Sequence, residues 1–462
     1  MRVLLVIHDN DSYVHNFPMG SAYIAAYLEA AGIEVDIYNQ DVHHWPNQHL
    51  TTYLNNNQYD AVGLGVIAGY YPFQKMLEIS EAIHSSNRNF FYFLGGPGPS
   101  AEPEYFLRKT RADAVVIGEG EETALELMRK VAGKEPLNQV KGLAYREGDE
   151  VAVNERRPVI KEIDSIPWPA YEKFPFLHYQ LIGVPHRQRS DKVMTMITGR
   201  GCPFRCNFCY RMDPGVRLRD PEAIVEEMRH LKTNYGINYI TFQDELLMTS
   251  EKRTEELCRA FIKAGLNMRW LCSGRLNFAK LDTLKLMKEA GCVFVNYGIE
   301  SMDDQALRNM NKKLTTKQIV KGIEATLAAG LSPGFNIIFG NIGENQEVLQ
   351  KDVEFLLKYD DGSQMRTIRP VTPYPGSDLY YHAIENGLIK DCADFYENKH
   401  LNSDLLSVNF TDLSDDEFHD ALHEANHTLI NNYYENKCAA VLEETRHLYA
   451  ERDTSFRGYR HP

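Results

Sequence analysis

Gly199-Arg200-Gly201-Cys202-Pro203-Phe204-Arg205-Cys206-Asn207-Phe208-Cys209-Tyr210 follows directly on the apolar run Val193 to Thr198. Cys202, Cys206 and Cys209 have the spacing CxxxCxxC, and in a loop three sulfurs so spaced can converge on one point. Three thiolates match three irons of a cubane cluster and leave the fourth iron open to a substrate or cofactor. A structural zinc site needs four ligands, usually drawn from two separated pairs, and no CxxC or HxxxH partner sits nearby. An electron-transfer cluster calls for a fourth cysteine at a recognisable distance. The remaining cysteines, Cys258, Cys272, Cys292, Cys392 and Cys438, are isolated on predicted helices or strand ends, where a free thiol behaves as a small buried hydrophobe.

Outward from this loop, residues 191–380 alternate β-rich runs with helical patterns. The runs are Val193 to Thr198, Tyr239 to Phe242, Arg269 to Cys272, Phe294 to Gly298, Ser332 to Phe339 and Gln364 to Val371. Six such units predict a partial (β/α)6 barrel. Residues 1–135 alternate on a shorter period, with strands predicted at Val3 to Ile7, Val35 to Tyr38, Ala61 to Val66, Phe90 to Leu94 and Ala114 to Ile117, and helices near 20–31, 72–84 and 121–132. This predicts an α/β, doubly wound, Rossmann-like parallel sheet, which binds ligands at the carboxyl ends of its strands. Residues 136–190 read as a connector with a small hairpin around Glu147-Gly148-Asp149 and prolines at 167, 169 and 175; residues 381–462 read as a helical, acidic segment.

The chain has 462 residues, 43% hydrophobic and 25% charged, which is globular composition. Its formal net charge of −14 disfavours clinging to nucleic acid or anionic lipid. No stretch approaches about 18 uninterrupted apolar residues, and the run Val3 to Ile7 is too short for a signal peptide. The expectation is a cytoplasmic protein with reduced thiols and no membrane span.

The cysteine triplet, with Phe208 before its last member and its place after a first barrel strand, resembles the signature of the radical S-adenosylmethionine (SAM) superfamily. The resemblance implies a [4Fe-4S] cluster held by Cys202, Cys206 and Cys209. SAM would chelate the open iron and be cleaved by one electron to a 5′-deoxyadenosyl radical. Later segments, one per strand, resemble the superfamily's SAM contacts. Asp244 and Glu245 stand where an acidic or glycine-rich strand end holds the methionine amine, although the commoner Gly-Gly-Glu is absent. Ser273 and Arg275 resemble the carboxylate contacts, Glu300 the ribose contact, and Gly340 and Ile342 the turn beside adenine.

The doubly wound domain ahead of this barrel resembles the cobalamin-binding branch, the likeness spanning roughly residues 1–380. It implies cobalamin contacts at the strand-end turns: Ser12, Gly20, Ala68, Gly69, Gly95, Gly96, Pro97, Gly118, Glu119 and Gly120. The Asp-x-His-x-x-Gly motif of proteins that ligate cobalt has only Asp41-Val42-His43-His44-Trp45-Pro46 as a counterpart, with Pro46 in the glycine's place. His43 and His44 therefore read as loop histidines. The implied function is methylation of an unactivated centre in a small molecule, lipid or peptide. Alternatives are oxidative cyclisation of the tetrapyrrole type, a radical SAM enzyme whose first domain binds no cobalamin, and a non-catalytic iron–sulfur redox or binding protein. An electron donor such as flavodoxin or ferredoxin is implied as a partner. Tyr210, Arg211, Tyr374 and Tyr380 fall near the expected mouth of the barrel and carry no assigned role; no catalytic residue is read from the sequence.

Overall fold

The computed structural model describes residues 1–11, 16–87 and 89–455. The first sheet contains β1 (Arg2–Ile7), β2 (Glu34–Asn39), β3 (Ala61–Gly65), β4 (Phe91–Gly95), β5 (Ala114–Val116), β6 (Leu143–Glu147) and β7 (Glu150–Val153). Their spatial order is β2-β1-β3-β4-β5-β6-β7. The first five strands are parallel, and their continuous burial follows from helices on both faces. Helices Met19–Ala30 and Glu121–Gly133 cover one face; Asn47–Asn56, Tyr70–His84 and Pro103–Thr110 cover the other. The hairpin β6–β7 is not free-standing. It joins antiparallel to β5, pairing Val115 with Ala144, and lengthens the sheet.

After the hairpin, Tyr171, Phe174 and Tyr179 close round Phe17 of the first domain, with ring centroids 5.4, 5.1 and 5.3 Å away. These aromatics belong to the same apolar core as the barrel strands, so the proline-rich stretch is a wedge that joins the two sheets.

The second sheet starts with β8 (Val193–Met196), from which the chain enters a two-stranded ribbon of β9 (Gly199–Arg200) and β10 (Arg217–Leu218). It continues with β11 (Tyr239–Phe242), β12 (Arg269–Gly274), β13 (Cys292–Glu300), β14 (Ser332–Phe339) and β15 (Arg369–Pro370). The order β8-β11-β12-β13-β14-β15 is parallel throughout, an open six-stranded barrel. Its helices carry strong end signals. Asp220 accepts from the Glu222 and Ala223 amides at the head of Pro221–Tyr235, and left-handed Gly236 ends it.

The strand expected over Gln364 to Val371 contracts to Arg369–Pro370. Ile368 takes its hydrogen bonds from the Asn426 side-chain amide instead, which accepts from its N–H at 2.8 Å and donates to its carbonyl at 2.9 Å. Asn426 lies on the 35-residue helix Asp415–Tyr449, whose Phe418 stacks on Phe339 at 4.9 Å. Between barrel and helix the chain returns to the first domain. Phe395, Tyr396 and Val408 enter its core, with Tyr396 stacked 4.6 Å from Phe73. Among the described residues, no helix is long and apolar enough to cross a membrane.

Candidate active site

The cysteine loop leaves β9 through Gly201, whose φ of +87° and contact with the Gly215 carbonyl exclude a side chain. The Gly201 amide donates to Glu245 at the end of β11. Further along, Asn207 and Asn341 exchange side-chain amide hydrogen bonds at 3.1 Å in both directions. The Asn207 amide also donates to the Met310 carbonyl at 3.0 Å, and Asn311 Nδ2 donates to the Arg205 carbonyl at 2.6 Å. The loop is thus tied to three other parts of the barrel rim before any ligand binds.

Cys206 is buried, and a hydrogen bond from Cys209, with Lys312 and Arg275 nearby, holds its thiol below the ordinary range. Donating that bond to Cys206 pushes the exposed Cys209 up, while burial raises Cys202. Among the described residues no three such side chains close round a single ion.

The strand ends of the barrel converge on this loop. Arg275, just beyond β12, lays its guanidinium over the Phe204 ring at 3.6 Å and lies beside Cys206 and Cys202. Its Nε and Nη2 are buried without a hydrogen-bond partner, an unspent fork of the kind that grips a carboxylate. Ser273 is half-buried on the same strand, and its carbonyl accepts from the Leu247 amide. Glu300 ends β13 with φ +71° at a register shift, and its Oε1 accepts from Lys312 Nζ at 2.8 Å, both side chains being buried. Lys312 was not foreseen from the sequence, because its partner is on another strand end. The one local hint is the polar turn Asn311-Lys312-Lys313, in which positions 311 and 313 have positive φ.

The two neighbouring acids after β11 part ways. Asp244 is buried and spends both oxygens on Thr198, accepting from its amide at 2.9 and 3.1 Å and from its hydroxyl at 2.8 Å; burial pushes it up to about 6. Glu245 is exposed and reaches the cysteine loop. Phe208 packs sideways with Ala306, Met310, Ile338 and Val348. Gly340, φ +99°, lies against the Phe418 ring, and the Ile342 carbonyl accepts from Asn309 Nδ2 at 2.8 Å.

Beneath the Gly340 turn, Glu344 accepts from the Gly340 and Asn341 amides at 2.8 Å each, and burial pushes it up to about 8. Asp352, also buried, is raised for the same reason and by the Glu344 charge. A carboxyl raised from its ordinary value near 4.5 keeps a proton in the folded chain that the unfolded chain has lost. Stability therefore falls as pH rises between those values. Thermal melts should show wild type losing on the order of 2 kcal/mol between about pH 6 and 8. Glu344→Gln keeps an acceptor for both amides and should flatten that slope; an unchanged slope would refute the assignment.

The first domain turns the carboxyl edge of its sheet toward this rim. Gly118, φ +82°, lies beside Arg156 and Asp213, and Arg156 Nη2 donates to Asp213 at 3.0 Å; Asp213 closely follows Cys209. Gln243, next to Asp244, reaches Asn16 at 3.5 Å. The edge carries little side chain. Gly65 and Ile67 are exposed, with Ala68 and Gly69 beside them, and a Cβ on Gly96 would stand 2.6 Å from the Val66 carbonyl. Such a low edge with an exposed apolar Ile67 fits a large flat ligand. Gly95 and Pro97 lie in the same turn, and Gly20 is exposed with open space around its Cβ position. Gly120 packs against Ile24 instead. The Glu119 carboxylate is taken by Arg200 at 3.0 Å and Arg217 at 2.8 Å, and Glu121 also takes Arg200, so this acid ties the domain to the ribbon. Ser12 lies outside the described residues. His43 stacks on Trp45 at 4.3 Å and His44 pairs with Asp9 at 2.9 Å.

Residues 196–356 match the radical SAM superfamily and residues 10–128 match the B12 binding domain. An uncharacterised methyltransferase of Pyrococcus horikoshii is 31% identical over 400 residues, covering 84% of this chain and 84% of the relative. An anaerobic magnesium-protoporphyrin IX monomethyl ester cyclase of Rubrivivax gelatinosus is 28% identical over 379 residues, 79% of this chain and 65% of the relative. The solved radical SAM methyltransferase TsrM of Kitasatospora setae, with cobalamin and a [4Fe-4S] cluster bound, shares the fold at TM-score 0.74 and 17% identity, over 93% of this chain and 89% of that one.

Proposed function

Because the chain belongs to the radical SAM superfamily and carries a B12 binding domain, we propose that it is a cobalamin-dependent methyltransferase acting on an unactivated centre of a small molecule, lipid or peptide. The observation that carries this reading is the facing of the two sheets: the bare carboxyl edge around Gly65, Gly96 and Gly118 opposes the rim that holds the cysteine loop. When bound, the cluster supplies the electron that cleaves SAM and cobalamin supplies a methyl carrier. Cys202, Cys206 and Cys209 hold the cluster in this reading. In this reading the Arg275 fork, with Ser273, would take the SAM carboxylate, Glu245 would serve its amine, Glu300 its ribose hydroxyls, and the Gly340–Ile342 turn its base. Asp244 positions the loop through Thr198, and Phe208 wedges it against the helix bearing Val348. Ala68, Gly69, Gly95, Gly96, Pro97, Gly118 and Gly20 offer backbone to cobalamin, with Gly120 and Glu119 setting the edge's position. A flavodoxin or ferredoxin is the donor this chemistry calls for.

Anaerobic protein reconstituted with iron, sulfide and hydroxocobalamin should retain both chromophores after desalting. Given SAM and a reductant, it should release S-adenosylhomocysteine as well as 5′-deoxyadenosine. Release of 5′-deoxyadenosine alone would defeat methyl transfer and favour cyclisation, the activity named for the Rubrivivax relative. Arg275→Met should weaken SAM binding about 10- to 100-fold, the worth of a lost charge-assisted hydrogen-bond pair, with cluster absorbance retained. Unchanged affinity in an equilibrium titration would remove Arg275 from the SAM site.

A further inference from the structure

Between Gln305 and Ile323 the chain carries five cations, Arg308, Lys312, Lys313, Lys317 and Lys321, and no acid. Such a run is out of keeping with a protein whose formal net charge is −14. Lys312 turns inward to Glu300, and the other four are exposed. Arg308 donates only to the neutral side chain of Gln305, at 2.7 and 3.3 Å. Among the described residues no carboxylate lies within ion-pair range of Arg308, Lys313, Lys317 or Lys321. The acids next to the run are engaged elsewhere: Asp304 accepts from the Thr316 amide at 2.7 Å and Glu324 from the Tyr359 hydroxyl at 3.0 Å.

This run borders the cysteine loop. Asn311 Nδ2 donates to the carbonyl of Arg205, the residue before Cys206, and the Arg205 side chain is itself exposed. On the loop's other flank the Phe204 ring lies 6.4 Å from that of Phe278, and Lys280, two residues on, is exposed. The first domain meets the far end of the loop, at Asp213 through Arg156, and leaves Arg205 open to solvent. Cys202 is half-buried and Cys209 exposed, so the sulfurs come close to the surface that these cations surround.

We propose that Arg205, Lys280, Arg308, Lys313 and Lys317 form the docking surface for the electron donor, an acidic one-electron carrier of the flavodoxin or ferredoxin kind. The inference rests on the radical chemistry proposed above, in which an oxidised cluster held by the cysteines gains one electron from outside for each SAM cleaved. The donor loses that electron, and no atom or proton crosses. A carrier that must leave after each delivery makes a small, weak interface, so charge brings it in more than buried apolar area does. The net charge of the chain repels an acidic protein at a distance, and unpaired cations gathered beside the cysteines turn the approaching carrier toward them.

Titrated in turn with an oxidised flavodoxin and an oxidised ferredoxin, both acidic, the anaerobically reconstituted protein should bind at least one. The dissociation constant should rise at least about fivefold between about 50 and 300 mM salt. Lys313→Glu combined with Lys317→Glu should raise it about 10- to 100-fold, with a matching rise in the carrier concentration that gives half-maximal SAM cleavage. Cleavage driven by dithionite, which needs no docking, should be unchanged, and this separates a lost surface from a lost site or fold. Lys317→Glu also places an acid in the first turn of the helix Thr316–Ala328, where the helix dipole favours it. Lys263→Glu combined with Lys288→Glu makes the same change of net charge in the last turns of two helices, at the opposite end of the barrel strands, and should shift the constant less than about threefold. A wild type that fails to cleave SAM even with dithionite would remove the radical chemistry and this surface with it. Dithionite-driven cleavage together with a carrier affinity that ignores the reversal at 313 and 317, or that the distant reversal weakens as much, would overturn the surface alone. So would binding of neither carrier, or of a single-stranded RNA in preference to both, which would assign the cations to nucleic acid.

Discussion

Cys202→Ala, Cys206→Ala and Cys209→Ala should each give a folded protein that lacks cluster absorbance after reconstitution and cleaves SAM only at background. Two thiolates cannot replace three on a cluster whose fourth iron must stay open. The fold should survive, because the Asn207–Asn341 exchange and the bonds to the 309–311 turn hold the loop without the metal. Cys258→Ala and Cys292→Ala are the controls. Both thiols are buried in the barrel core, and their loss should cost stability of about 1 kcal/mol while the cluster assembles normally. Full SAM cleavage in any of the three loop variants would defeat the assignment of the cluster.

Lys312→Met should be the most destabilising change at the rim that leaves every cysteine in place. Lys312 and Glu300 are both buried and paired at 2.8 Å, and removing one partner strands the other charge away from water. Breaking such a pair costs about 3–5 kcal/mol. The barrel's transition in urea should shift accordingly. Adding Glu300→Gln should recover much of that loss, since no uncompensated charge remains, yet should leave SAM binding weak because Glu300 itself is removed. A single Lys312→Met variant with wild-type stability would show that the pair opens to solvent.

The strands of both sheets were legible because parallel strands covered on both faces leave short apolar runs, as at Val3 to Ile7 and Tyr239 to Phe242. The helices Asn47–Asn56 and Pro103–Thr110 were not. The first buries only Leu50, Thr51 and Leu54, too sparse a stripe to stand out in a polar stretch. The order of candidate residues, one segment per strand, was readable, since each parallel strand delivers its carboxyl end to the same rim. What each side chain touches was not. Nothing near Glu119 announces Arg200 and Arg217, and nothing near Asp244 announces Thr198, because these pairings join segments far apart in the chain. Glu344 had a local signal in its place after Gly340-Asn341-Ile342-Gly343, but only burial decides that it keeps its proton.

The return of Phe395, Tyr396 and Val408 into the first domain's core has a bearing on synthesis. A domain that begins at the first strand would ordinarily fold as soon as it clears the ribosome. Here its apolar face over Phe73 and Phe106 stays open until residues near 408 have been made, a wait on the order of tens of seconds at ordinary elongation rates. During that interval the growing chain exposes aromatic surface for chaperones to shield. The carboxyl edge of the first sheet should therefore reach its final stiffness after the cysteine loop has been translated, which makes cofactor loading a late, post-synthetic event.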